Sequence, residues 1–547
     1  MIWGVFMGNN NGKDSFLKGA LILGLAGILV KIIGAFFRIP LGNLIGAEGM
    51  GYYQAAYPVY TLFLTLATAG FPTALAKLVS EKMAIGDYKG AHKVFKVSYS
   101  VLAITGFIAF CIFFFGADFI VNDIMENPGA KYAMLAISPA LLFVPVMSSY
   151  RGYFQGRREM TQIAISQISE QLFRVVLGIT LAYFLMYKWG ANPGPEQGAA
   201  GAIMGATIGA IASIIYLIIA YLVKLKTIKR EIKISKKFKE ESIARILKKL
   251  LVVAVPITIG ASVMPLVNMI DNVIVIRRLI EAGFTQTQAN VMFGQLTGMA
   301  MAIINLPSVI TVAMSMSLVP TISQAYAVGN RIKAIKETKS AIKITLMIVL
   351  PAAFGIASLA HPIMKLLYPG EPATVGTILL VLSPCIVFLG LIQSLNGILQ
   401  GMGKPMVPVI CLVIGMVFKV VISYTLTAIP QINVIGSALG TLTAYFVASM
   451  LELIYIKRAM KMKLSKMEFF IKPLLIVITM FIAVKLSFTF IIGILGNTLS
   501  TILAIAIGAI VYILATFTLG GIKKEELLSM PKGDKVYKVL RKLKIMK

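Results

Sequence analysis

Nine charged side chains sit inside runs of sequence that are otherwise apolar, and they set the chemistry open to this chain. Six are cations, Lys31, Arg38, Lys77, Arg174, Lys419 and Lys485, and three are acids, Glu170, Asp271 and Glu452. A charge at the centre of a bilayer costs about 2.5–3.5 kcal/mol on insertion scales, so each needs a partner or a task. The cationic surplus suits a cavity that receives an anion. Gly24, Gly27, Lys31, Gly34 and Arg38 follow a 3-4-3-4 spacing and therefore share one helix face. Lys31 and Arg38 stand about 10 Å apart along that face, at 1.5 Å per residue, with glycines leaving room beside them. Two anionic groups or one large anionic head group would fit there. The alternative is that Arg38 snorkels to the interface and the glycines serve tight packing.

Gln167, Glu170, Gln171 and Arg174 form a second polar stripe, in which Glu170 and Arg174 are an i,i+4 pair able to neutralise itself. Asn268, Asp271, Asn272 and Arg278 form a third group. Asp271 with its two carboxamides is a site for a coupling cation or proton, or else a partner for Arg278. Gln393, Asn396 and Gln400 recur at helical spacing and are either sugar contacts or interhelical hydrogen bonds. Lys77 either recruits an anion from the cytoplasmic side or snorkels. Glu452 reads as lying close to the cytoplasmic surface and Lys485 as peripheral.

Helices in lipid must hold these residues. The chain has 547 residues, 58% hydrophobic and only 14% charged, with a mean hydropathy of +0.86; soluble domains run nearer a quarter charged. Apolar runs predict fourteen membrane spans at 16–40, 51–80, 94–117, 130–150, 160–187, 198–223, 250–276, 287–325, 341–360, 374–400, 406–429, 433–456, 470–492 and 498–520. Counting basic residues at span ends with the adjoining break, forty-one of the 52 fall on one side of this topology, five on the other and six deeper within spans. By the positive-inside rule both termini are cytoplasmic, in the cell membrane. A net charge of +30 would suggest nucleic acid in a soluble protein. Here its placement assigns it to orientation, and no nucleic-acid partner is expected. Eleven basic residues crowd 224–249, which reads as an orientation signal or as a surface for anionic membrane lipids. Cys111, Cys385 and Cys411 have no paired spacing, and with two histidines no metal site is indicated. The N-terminus carries no signal peptide, and Met7 is an alternative start.

Residues 137–185 align without gaps on 382–430, thirteen of 49 pairs being identical. Ser138-Pro139 matches Ser383-Pro384, Gly152-x-x-Gln155-Gly156 matches Gly397-x-x-Gln400-Gly401, and Arg174 matches Lys419. Weaker matches relate Gly201 and Gly205 to Gly436 and Gly440, and Pro72-Thr73 to Pro320-Thr321. The copies are six spans apart and enter the membrane in the same direction, a parallel repeat suited to alternating access. The predicted fold is an all-α polytopic membrane protein with two pseudo-symmetric six-helix lobes and an appended helix pair. Its parts are an N-terminal lobe (1–225), a basic connector (226–249), a C-terminal lobe (250–463), the helix pair (464–522) and a basic cytoplasmic tail (523–547).

No phosphate-binding loop, dinucleotide turn or nucleophile elbow is present, so no enzyme and no cofactor is expected. Transport would draw on an ion gradient, the membrane potential or the substrate gradient. Ser15-Phe-Leu-Lys-Gly-Ala-Leu-Ile-Leu, Arg38-Ile-Pro-Leu, Ile45-Gly-Ala-Glu-Gly, Tyr53-Gln-Ala-Ala-Tyr-Pro, Gly70-Phe-Pro-Thr-Ala-Leu-Ala-Lys-Leu-Val-Ser and Tyr150-Arg-Gly-Tyr-Phe-Gln-Gly together resemble the stage V sporulation protein B-like polysaccharide biosynthesis family. That family is part of the multidrug/oligosaccharidyl-lipid/polysaccharide exporter superfamily and is similar to the lipid II flippases. The resemblance implies export of undecaprenyl-pyrophosphate-linked glycans for peptidoglycan, spore cortex or surface polysaccharide, with cell-wall synthesis proteins as possible partners. It also implies a cationic cavity, to which Lys31 and Arg38 would contribute, and a lipid-tail groove at the extra helix pair. Lys31 stands where an arginine would offer a bidentate fork. Asp271 is the acid that could serve a sodium site known in some relatives, while span 11 offers Lys419 and no acid. Three readings stay open: a lipid-linked oligosaccharide flippase binding through Lys31, Arg38, Lys77, Arg174 and Lys419, a multidrug/cation antiporter, and a non-transport scaffold.

Overall fold

In lipid, every peptide N–H and C=O must be satisfied within its own segment, and a helix does this locally. The computed structural model describes residues 12–188, 193–236, 238 and 240–521, with side chains from Ile22 onward, and among these every regular element is helical. The tail 523–547, Met7, and Lys237 and Lys239 of the connector lie outside the described residues. The first elements are α1 (Gly12–Thr68), α2 (Phe71–Ala84), α3 (Tyr88–Phe115), α4 (Lys131–Ile137), α5 (Ala140–Gly156), α6 (Met160–Tyr187), α7 (Pro195–Lys233) and α8 (Ile243–Glu281). They continue as α9 (Gln286–Phe293), α10 (Ser308–Ala327), α11 (Arg331–Ser358), α12 (Ala360–Leu367) and α13 (Thr374–Leu382). The last are α14 (Cys385–Gly401), α15 (Met406–Leu426), α16 (Ile435–Ala459) and α17 (Lys472–Thr518). Phe115, Phe490 and Ile494 stand 76–81% exposed on helix surfaces that only lipid can cover.

Twelve described helices are long and apolar enough to cross a membrane. Two of these, Ile22–Ala84 and Met467–Thr518, run to 63 and 52 residues, more than twice the roughly 20 that one span needs. Each contains one glycine outside helical space, Gly46 at φ 65°, ψ 179° and Gly496 at φ 69°, ψ 179°. That region is essentially closed to residues with a Cβ. Divided at these glycines, the twelve are compatible with the fourteen spans expected.

The chain forms two compact units, Met1–Arg277 with Thr285–Gly294, and Arg278–Phe284 with Gln295–Lys547. The repeat puts α8 at the head of the second copy, whereas by packing it joins the first unit. There the Thr258 hydroxyl accepts from Gly70 N at 3.0 Å and Asn272 Nδ2 donates to Ala55 O at 2.8 Å.

Within each unit the same local structure recurs. The Ser138 hydroxyl donates to Leu135 O and the Ser383 hydroxyl to Leu380 O, both at 2.8 Å, ahead of α5 and α14, whose bounds differ by the repeat offset. In the first unit Gly201 and Gly205 on α7 lie so close to α6 that a Cβ would sit 2.5 Å from Leu181 O and Arg174 O. In the second, Gly436 and Gly440 on α16 meet Leu426 and Lys419 of α15, the repeat equivalents of Leu181 and Arg174. The Pro72–Pro320 match is corrected by packing. Gly152 meets Pro72 O and Gly156 meets Ala76 O, while Gly397 meets Ser315 O and Gly401 meets Val319 O. Pro72 therefore corresponds to Ser315.

Two predicted spans are cut differently. The 287–325 run breaks at 305–307, where Pro307 disfavours helix in the residue before it, so α10 begins at Ser308. The run 130–150 instead extends to Gly156, bringing Arg151 inside α5 rather than into a connector. The 226–249 connector is docked. Lys236 N donates to Gly86 O at 3.1 Å, and Glu240 pairs with Lys89 at 2.5 Å. Glu241 lies 2.7 Å from Lys249 and 3.0 Å from Lys82, and these ammonium groups, Lys249 first, hold its carboxyl below the usual carboxylate range. Its contribution to stability is thus present above the ordinary carboxylate pKa and fades as pH falls through the depressed one.

Gly496→Ala should lower the melting temperature of the purified protein by an amount equivalent to about 1–3 kcal/mol of backbone strain. Gly493→Ala, also facing open space but with ordinary backbone, should leave it unchanged. Equal melting of the two variants would show that the Gly496 conformation is not required.

Candidate functional site

The first unit gathers its charges where α1, α5, α6 and α7 meet. Gly34 of α1 permits the approach: a Cβ there would stand 3.0 Å from the Gln171 side-chain nitrogen of α6. The α1 stripe therefore packs on the α6 polar stripe at Gly34 and opens at Gly24 and Gly27, where nothing lies within 4 Å. Lys31 is exposed and Arg38 partly buried.

Glu170 does not pair with Arg174. Its Oε2 accepts from Arg151 Nη2 of α5 at 2.8 Å, and the same guanidinium donates to the hydroxyls of Ser166 at 3.0 Å and Ser213 at 3.1 Å. Arg174 turns instead toward Tyr57 of α1, with its guanidinium carbon 5.2 Å from the ring centroid and its charge acting on the phenol. Tyr57 stacks on Tyr53 at 6.1 Å and feels the charge of Arg38 as well. The nearby acid is thus spent on Arg151. Among the described residues no carboxylate lies within ion-pair distance of Lys31, Arg38 or Arg174. Arg174 and Arg38 thus both act on Tyr57, which stacks on Tyr53, while Lys31 stands exposed seven residues before Arg38 on α1. The sequence missed Arg151, which looked like part of a connector, and Tyr57, whose spacing four residues from Tyr53 is the signal that could have found it.

Other predicted residues fall elsewhere. Lys77 is exposed on α2 and lies 4.0 Å from Glu81. On α8, Asp271 and Asn272 are buried, and Asn268 is exposed. Arg278 pairs with Glu281, donates to Tyr424 O at 2.9 Å and stacks 4.1 Å from the Tyr424 ring, so Asp271 is not its acid. Gln393 accepts from the Thr311 hydroxyl, an interhelical bond. Lys419 is 8% exposed on α15, within electrostatic reach of Cys385. Lys485 lies 5.9 Å from the Phe481 ring. Glu452, seven residues before the end of α16, is fully buried. The second unit also holds an apolar groove of about 380 Å³ between α11 and α17, lined by Pro351, Gly355, Leu359, Met480, Val484 and Gly508 among others.

Arg151→Ala and Glu170→Ala should each destabilise the protein by about 1–3 kcal/mol, since either leaves a partly buried charge unpaired. The double variant should lose less than their sum; strict additivity in thermal unfolding would show that the pair is not coupled.

Residues 16–326 match the family described as Polysaccharide biosynthesis protein, and residues 295–425 match MatE. The chain is 28% identical to Stage V sporulation protein B of Bacillus subtilis (strain 168) over 527 residues, 95% of this chain and 98% of the relative. It is 29% identical to Lipid II flippase MurJ of the same organism over 457 residues, 82% of this chain and 83% of the relative. A solved structure of Lipid II flippase MurJ, in an inward closed conformation, superposes with a TM-score of 0.67 at 17% identity, over 91% of this chain and 98% of that one.

Proposed function

Because the chain belongs to the polysaccharide biosynthesis protein family, we propose that it is a flippase for an undecaprenyl-pyrophosphate-linked glycan. The head group would cross the cytoplasmic membrane by alternating access, in the service of peptidoglycan, cortex or surface polysaccharide synthesis. The observation that carries this reading is that Arg38 and Arg174, neither in an ion pair among the described residues, both act on Tyr57, with Lys31 on the same α1 face and the nearby acid engaged by Arg151. A pyrophosphate offers several anionic oxygens to such a set through charge-assisted hydrogen bonds. A cationic drug would be repelled from it, which disfavours the antiporter reading. The apolar groove between α11 and α17 has the chemistry to take an isoprenoid tail while the head group is held. Lys419, at the repeat position of Arg174, is assigned to the same anion path, and Lys77 to recruitment from the cytoplasmic side. Asp271, Asn268 and Asn272 are assigned to ion coupling, with no cofactor and with both termini cytoplasmic.

In cells lacking their lipid II flippase, Lys31→Ala or Arg38→Ala should abolish complementation at normal abundance, and Lys31→Arg should retain part of it. Lys419→Gln should impair transport without loss of protein. Full complementation by both alanine variants sinks the anion site. For topology, a single cysteine at Asn122 should react with an impermeant maleimide in intact cells, and one at Lys226 only after permeabilisation. The opposite pattern reverses the orientation.

A further inference from the structure

Glu452 of α16 has no exposed surface, and neither carboxyl oxygen has a hydrogen-bond partner. Its surroundings are apolar. The core around the adjoining turn of α16 includes Ile456 and Leu453, and it takes in Leu395, Ile398 and Leu399 from α14 and Val407 from α15. Among titratable groups, α15 contributes the Cys411 thiol, which responds to Glu452 electrostatically. No charged group acts on Glu452 among the described residues. Lys404, before α15, and Lys457 and Arg458, on α16 itself, are exposed. Lys419 meets Gly440, twelve residues from Glu452 along α16 and so about 18 Å away.

The repeat shows that packing does not ask for an acid here. The register that sets Gly205 against Gly440 sets Leu217, equally buried, against Glu452. The first unit neutralises its own partly buried acid, Glu170, with Arg151, whose equivalent in the second unit is Asn396. A carboxylate without donors or a cation in an apolar interior is far costlier than the neutral acid.

We propose that Glu452 is a proton-binding site that holds a proton in this packing of the second unit and exchanges it with water when the α15–α16 seam opens. A proton gradient would act on the chain through that exchange. The proton-binding half stands alone; the coupling half rests on the flippase reading above. The full-length protein in lipid bilayers at neutral pH should show an infrared carbonyl band of a protonated carboxyl that Glu452→Gln removes. Identical spectra overturn the site. Glu452→Gln, nearly isosteric with the neutral acid, should melt with the wild type. A clear drop in melting temperature would mean an ionised, paired carboxylate and overturns it too. In proteoliposomes, flipping of a fluorescent undecaprenyl-pyrophosphate glycan should depend on an imposed pH gradient for wild type and lose that dependence in Glu452→Gln. Equal dependence in both overturns the coupling. Absence of flipping at any gradient sinks the flippase reading and the coupling with it, while the infrared band still decides whether Glu452 holds a proton.

Discussion

The seam between α6 and α7 is the contact on which the rest of the first unit depends. Gly201, Gly205 and Gly209 bring the α7 backbone against the carbonyls of Leu181, Arg174 and Glu170. In a membrane, where lipid is as apolar as a leucine side chain, close packing of this kind supplies the attraction that water-driven burial supplies elsewhere. Two of these three carbonyls belong to the two charged residues of the stripe. The helix surface that glues α6 to α7 therefore also fixes where Glu170 and Arg174 start, and their side chains part to Arg151 and Tyr57. The second unit keeps the seam but moves one glycine across it, Gly415 lying against Ala444 O where Glu170 lies against Gly209. Losing the acid there leaves Lys419 in a different setting from Arg174.

Much of this was legible in the sequence. Hydropathy located the helices because lipid imposes one period and one length, and the ungapped repeat from Ser138 to Leu185 carried real packing information: its glycines meet equivalent backbone atoms in both copies. The α1 stripe was readable because Gly34 and Arg38 share a helix face by arithmetic alone. What failed was local bookkeeping of charge. An i,i+4 rule paired Glu170 with Arg174, yet a cation on α5 offered better geometry from a residue nineteen positions away. Such a choice depends on how two helices cross, which no spacing within one helix contains.

Position along a span left one property unread. Glu452 sits late in its apolar run, which places it towards the cytoplasmic end of its helix and says nothing of cover. The neighbouring α14 and α15 cover it completely, and burial is a property of neighbours rather than of depth along one helix. The same reasoning explains Arg151, counted as a connector residue because polar neighbours follow it, although α5 runs on to Gly156.

Gly46 joins two stretches of α1 through a single non-helical residue. A junction so short leaves no slack to absorb a change in chain length. One inserted residue would turn everything after it by about 100° and advance it by about 1.5 Å. Tyr53 and Tyr57 would then swing off the face that meets Arg174, and the glycines that follow would meet side chains instead of backbone. The spacing from Arg38 to Tyr57 is thus held to the number of residues it has.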